Sequence, residues 1–231
     1  KRTSTSTAQG FSMLTDRRTL LVTTAAMGLL TACNQTGPAA ASSEDMALGP
    51  ADAKVTVIEY ASLACHVCFD FHEKVWPQLK ANYIDTGKIR FIFREFPTGQ
   101  PQIATAEHLL ARCMAPTPEK YFEAVDMFFG QQTAVFEAAG SGQVREKLLS
   151  IAKTGGLSEE QFTKCIADPA QIARLNKVAE EGTKKYKIDG TPTIIINGKY
   201  RFDVASAGGH QNIGELIDFL VAKERAAKKG A

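Results

Sequence analysis

Residues 101–187 carry no strand pattern, although β-branched runs stand on both sides of them. That interruption constrains the fold more than any other feature. The run 54–61, KVTVIEYA, predicts a strand. Beyond it Val67, Phe71, Val75 and Leu79 recur at helical spacing. Pro77 removes a backbone donor and crowds the preceding turn, so this helix is expected to kink. Thr86-Gly87 ends it. Residues 88–95, KIRFIFRE, alternate as a second strand, and short links make strand, helix and strand a parallel unit. The β pattern returns at 193–196. Asn197-Gly198 then signals a hairpin turn, with its partner strand at 199–203 and a last helix over 212–227.

The intervening block reads as all-helical. Ile103, Ala106, Leu110 and Cys113 form one stripe, stopped at Pro116 and Pro118. Tyr121, Val125 and Phe128 form another. Ser158-Glu159-Glu160-Gln161 is a capping box, and it opens a helix with Phe162, Cys165 and Ile166 inward. Asp168-Pro169 caps a further helix with Ile172, Leu175 and Ala179 inward. The chain is α/β, in the order β-α-β, helical block, β-β-α. Of its 231 residues 44% are apolar, enough for one good core. One domain with an insertion fits this length better than two independent domains. The net charge of +2 gives no reason to expect a nucleic-acid partner.

The N-terminal residues are expected to lie outside the fold. Arg17 and Arg18 precede an apolar run, 20–30, too short for a transmembrane span. Leu30-Thr31-Ala32-Cys33 follows. This sequence predicts an export signal over 1–33, and the Cys after Leu-Thr-Ala resembles a bacterial lipobox in which Cys33 carries lipid. An ordinary signal peptide with an incidental Cys is the alternative. Residues 34–46 read as a flexible tether. Export to an oxidising compartment changes the reading of the cysteines, because thiols there tend to be paired or functional.

Cys65-His66-Val67-Cys68 falls where a strand gives way to a helix. A thiolate is the attacking species in disulfide exchange, and the donors and dipole of a helix N-terminus favour it. Cys65 sits at that end as the expected nucleophile. Cys68, one turn deeper, can resolve a mixed disulfide. Zinc usually requires a second ligand pair, and a purely structural disulfide also competes. Glu59, on the first strand, is either a buried carboxylate with raised pKa that exchanges a proton with Cys68 or a solvated group at an edge. Thr191-Pro192 stands at the entry to the third strand, where a cis bond is a candidate and trans the default.

These elements together resemble the thioredoxin fold with a helical domain inserted in its middle. Residues 59–68, the stretch from Phe71 through Phe96-Pro97, and Gly190-Thr191-Pro192-Thr193 are similar to the DsbA family of bacterial disulfide oxidoreductases, over roughly 46–225. The resemblance implies thioredoxin-like halves at 47–100 and 188–231 around a helical insertion at 101–187. It implies that Glu59 is buried beneath the cysteine pair and that Pro192 is cis and faces Cys65. Thr191 would then hold a substrate strand beside Cys65. One departure stands out. The family's inner pair is Pro-His, and here it is His66-Val67. His66 could supply part of the missing stabilisation of the thiolate; otherwise the disulfide is less oxidising.

Cys113 and Cys165 fall on the inward stripes and are expected to form a second disulfide, as in some family members. Two buried thiols are the alternative. His72 is expected at the surface, and His108 and His210 have no evident partner. Trp76, Phe122, Phe128 and Phe129 read as core. The expected activity is introduction of disulfides into unfolded or reduced exported proteins. A quinone-linked membrane oxidase would reoxidise the site, in the periplasm, on a lipid anchor, without metal or organic cofactor. A reductase or isomerase of the same fold, a copper-binding chaperone using Cys65, His66 and Cys68, and a binding module with an inert disulfide are the rivals.

Overall fold

A computed structural model describes residues 44–204 and 211–229; the expected export signal with Cys33, the expected tether up to residue 43, and His210 lie outside them. The chain runs β1 (Met46–Leu48), β2 (Val55–Ala61), α1 (His66–Lys74), α2 (Trp76–Leu79) and β3 (Ile89–Glu95). Six helices follow: α3 (Pro101–Cys113), α4 (Pro118–Gly130), α5 (Gln132–Gly140), α6 (Val144–Thr154), α7 (Glu159–Ile166) and α8 (Pro169–Tyr186). It closes with β4 (Thr193–Ile196), β5 (Tyr200–Asp203) and α9 (Gln211–Lys229). The strands form one sheet in the order β1-β3-β2-β4-β5. β2 and β3 run parallel, and the other neighbours pair antiparallel. Among the described residues no helix is long and apolar enough to cross a membrane.

β2 is the central strand, and all seven of its residues are buried. Side chains alternate between the faces of a strand. Val55, Val57 and Ala61 enter a large core with Cys68, Phe71, Trp76 and, from the helical block, Phe122, Phe128 and Phe129. Ile58 and Tyr60 face the other way, into a smaller cluster with Ile92, Ile188 and Ile195. Glu59 has the parity of Val57 and Ala61. It pairs in register with Phe93 on one side and Ile194 on the other, so a solvated edge position is ruled out.

The helix after Cys65 breaks where Pro77 requires it. Val75 closes α1 with its N–H on the Phe71 carbonyl, Pro77 occupies the first turn of α2, and a π-helical turn spans Lys80–Ile84. Gly87, at φ +70°, turns the chain into β3.

Several expectations need correction. The insertion holds six helices rather than the four that stood out by stripes and caps. α5 and α6 lack a side-chain hydrogen bond at their N-caps, so the usual start signal is missing from their sequence. The last residues read as tether belong to the fold. Met46 opens β1, Asp45 pairs with Arg94 at 2.8 Å, and the Glu44 carbonyl accepts from Arg112 at 3.0 Å. Cys113 is exposed and Cys165 half-buried, because each sits at the end of its helix rather than on its inner stripe; their sulfurs are joined at 2.05 Å. His108 is fully buried on α3, against Phe93.

Ion pairs join the insertion to the sheet. Glu95, buried at the end of β3, meets Arg112 of α3 at 2.5 Å and Arg174 of α8 at 3.1 Å. Burial opposes the charge on Glu95, yet the two guanidiniums hold its carboxyl down at about 2.

Candidate active site

The site is built where β2 ends and α1 begins. Ser62 starts a tight turn in which its carbonyl accepts from the Cys65 N–H at 3.2 Å. Cys65 is the N-cap of α1, with extended backbone (φ −107°, ψ 120°). That conformation turns its sulfur back over the first helical turn, where it accepts from the Cys68 N–H at 3.4 Å. Short polar side chains serve as N-caps for the same reason. Cys65 is half-buried, His66 exposed and Cys68 completely buried. Both cysteines are free thiols.

The loop before β4 closes over this turn. The Thr191–Pro192 bond is cis, and the Cys65 thiol donates to the Thr191 carbonyl at 3.4 Å across 126 residues of sequence. A second loop, after β3, joins them. Ser62 Oγ donates to the Thr98 carbonyl at 3.0 Å, and the hydroxyls of Thr98 and Thr191 share a hydrogen bond. Gly99, at φ +77°, lies so close to the Ala64 carbonyl that a Cβ there would collide with it.

The two thiols are held in opposite states. Hydrogen bonding from Cys68 lowers the Cys65 thiol to about 6 against the cost of burial, and the Thr191 hydroxyl and the N–H groups of Cys68 and Val67 add to the effect. Burial pushes the Cys68 thiol well up, and its hydrogen bond and charge interaction with Cys65 push the same way. Glu59 is raised to about 8, first by burial and then by the charge of Cys65. It therefore carries a proton at neutral pH. The arrangement offers one accessible acidic thiol, one buried thiol that holds its proton, and a buried carboxyl that can exchange one.

Other residues fall in different places. His66 stacks on Phe69, ring centroids 6.0 Å apart. His72 is not a surface residue. It is wedged between Trp76 and Phe129, with Nε2 at 2.9 Å from Asp126 of α4. Trp76 and Phe122 stack in the core. Among the described residues no group of three or more His, Cys, Asp or Glu is placed to hold a metal ion.

Sequence reasoning missed Thr98 and Gln132. Gln132, buried in the first turn of α5, donates through Nε2 to the Leu63 carbonyl at 2.7 Å and to the Cys65 carbonyl at 3.2 Å. Its type and position give no local signal, because its partners are backbone atoms more than sixty residues away.

Comparison with known proteins agrees with this geometry. A family model described as Thioredoxin matches residues 41–218. A Rickettsia bellii protein, provisionally named a protein-disulfide oxidoreductase, is 35% identical over 158 residues, covering 67% of this chain and 57% of that protein. The chain thus spans little more than half the length of that relative. The thiol:disulfide interchange protein DsbA of Pseudomonas syringae is 30% identical over 185 residues, covering 77% of this chain and 78% of its own. Among solved structures, Wolbachia pipientis α-DsbA1 superposes with a TM-score of 0.67 at 28% identity, covering 81% of this chain and 96% of that one. The chain belongs to the thioredoxin family, among the DsbA-like thiol:disulfide oxidoreductases.

Proposed function

We propose that this protein is a thiol:disulfide oxidoreductase that works as an oxidase through Cys65 and Cys68. The observation that carries the reading is the geometry of the pair: Cys65 is half-buried at the N-cap of α1 and accepts from the Cys68 N–H, while Cys68, one turn on, is completely buried. A stabilised Cys65 thiolate favours the reduced enzyme, and favouring the reduced form makes the disulfide a stronger oxidant.

A substrate thiolate attacks Cys65 Sγ of the oxidised pair. The Sγ–Sγ bond breaks and its electrons pass to Cys68, which takes up a proton; Glu59 is the nearby buried acid able to give it. A second substrate thiolate then attacks the substrate sulfur of the mixed disulfide. Cys65 leaves as the stabilised thiolate, the substrate gains a disulfide, and the enzyme leaves with two electrons more. Thr191 and cis Pro192, beside Cys65, form the ledge on which an extended substrate segment lies. Val67 brings no charge to the site, and the low value of Cys65 rests on hydrogen bonds from Cys68, Thr191 and the helix N-terminus.

The substrates are unfolded or reduced exported proteins, and reoxidation falls to a quinone-linked membrane oxidase. The protein works in the periplasm, anchored by lipid on Cys33. Equilibration with glutathione mixtures tests the direction. A reduction potential near about −120 mV, the figure for DsbA itself, supports the oxidase, and one near about −270 mV makes the protein a reductase.

A further inference from the structure

We propose that Gln132 is a positioning residue, through which the helical insertion sets the reactivity of Cys65. It rests on the reading of Cys65 as the thiol that exchanges with substrate, independent of the direction of transfer. Gln132 is a buried polar side chain in a block otherwise joined to the active-site side of the sheet mainly by apolar packing. Its amide spends its donors on two carbonyls of one short loop, Leu63 and Cys65. The Cys65 carbonyl already accepts the first helical hydrogen bond of α1, from the Phe69 N–H at 3.0 Å. A second donor on that oxygen pins the peptide that leads from Cys65 into the helix. The same peptide orients the Cys65 sulfur toward the Cys68 N–H and Thr191.

The Leu63 carbonyl matters for a different reason. Leu63 is fully buried, and a buried carbonyl without a donor carries a desolvation cost. Gln132 removes that cost only in the loop conformation observed. A second contact reinforces the link. His72, on α1, bonds Asp126 of α4, so the insertion grips the active-site helix from α4 as well as from the start of α5. Neither contact reaches the sulfur directly. Both act on the backbone that aims it.

The test uses the full chain, reduced, with thiolate absorbance followed against pH and Cys65→Ser as the blank. In the wild type the Cys65 transition is expected near 6. In Gln132→Leu and Gln132→Met, both without the donor, it is expected to rise by about half a unit or more, with a matching several-fold fall in the equilibrium constant for oxidation of reduced glutathione by the Cys65–Cys68 disulfide. Chemical denaturation of the same variants separates the roles. A loss of stability with an unmoved transition makes Gln132 merely structural and overturns the proposal. So does failure of both variants to fold. A wild type with no acidic thiolate removable by Cys65→Ser overturns the reading of Cys65 itself.

Discussion

At the scale of single residues, the site is two thiols and a carboxyl whose proton affinities are displaced from their ordinary values by burial and by a few hydrogen bonds. Glu59 allows a signed prediction. Its carboxyl is raised from 4.5 to about 8 in the fold. The folded protein therefore holds a proton that the unfolded chain releases, and stability from this group is present below about 4.5 and lost as pH rises through 8. Glu59→Gln is expected to raise the thermal midpoint most at pH 8 and least at pH 4, and to slow exchange by about tenfold or more. Unfolding scans and stopped-flow kinetics with a dithiol peptide check both. Gly99 gives a second case. Its φ of +77° and its closeness to the Ala64 carbonyl leave no room for a methyl group. Gly99→Ala should cost about 1–3 kcal/mol in urea unfolding and slow exchange, since it displaces the loop carrying Cys65. Cys65 and Cys68 could be picked out of the sequence as a thiol pair where a strand gives way to a helix, whereas the burial of Glu59 and the cis bond at Pro192 follow only from the resemblance to the DsbA family. Thr98, Gly99 and Gln132 could not be picked out, because what matters in them is a contact with backbone from another part of the chain.

At the scale of elements, β2, β3, β4, β5 and α9 follow the hydrophobic periods and turn signals closely. Pro77 breaks its helix as its missing N–H demands. The failures are α5 and α6, which have no capping side chain, and β1, three residues long at the end of a polar, small-residue stretch. α3 carries a buried acid that its sequence pattern does not single out. Glu107 is fully buried, and neither carboxyl oxygen has a hydrogen-bond partner. Burial raises it to about 8. As for Glu59, the unfolded chain ionises first, so the penalty grows as pH rises from about 4.5 to 8. Replacing Glu107 with Leu should stabilise the protein by about 1–3 kcal/mol at pH 8 and by less at pH 4, where only the unpaired neutral carboxyl is removed. Chemical denaturation at the two pH values decides it, and a destabilised variant at pH 8 would mean that the carboxyl contributes to the fold.

At the scale of the whole molecule, the helical insertion is tied to the sheet by a continuous apolar core, the Glu95 cluster and Gln132, and it is cross-linked within itself between Cys113 and Cys165. The bridge spans 52 residues, and the chain-entropy argument gives it about 4 kcal/mol. The double variant Cys113→Ala/Cys165→Ala is expected to lose roughly that amount in denaturation while leaving Cys65 reactivity in place, and non-reducing peptide mapping of the wild type should recover the two cysteines on one joined peptide. Order of elements and fold class were readable because the strand and helix periods change so plainly at residues 101 and 193. The clustering of Glu95, Arg112 and Arg174 was not, since those residues lie far apart in sequence and meet only when α3 and α8 pack beside β3. The distance in sequence between Cys65 and Thr191 also sets a schedule. Synthesis runs from the N-terminus, so Cys65 and Cys68 emerge well before the strand that completes the burial of Glu59 and the loop that bonds the Cys65 sulfur. A half-made chain lacks the Thr191 contacts of the Cys65 sulfur and the β4 neighbour of Glu59, and the reactive centre is complete only when roughly the last fifth of the polypeptide has folded against it.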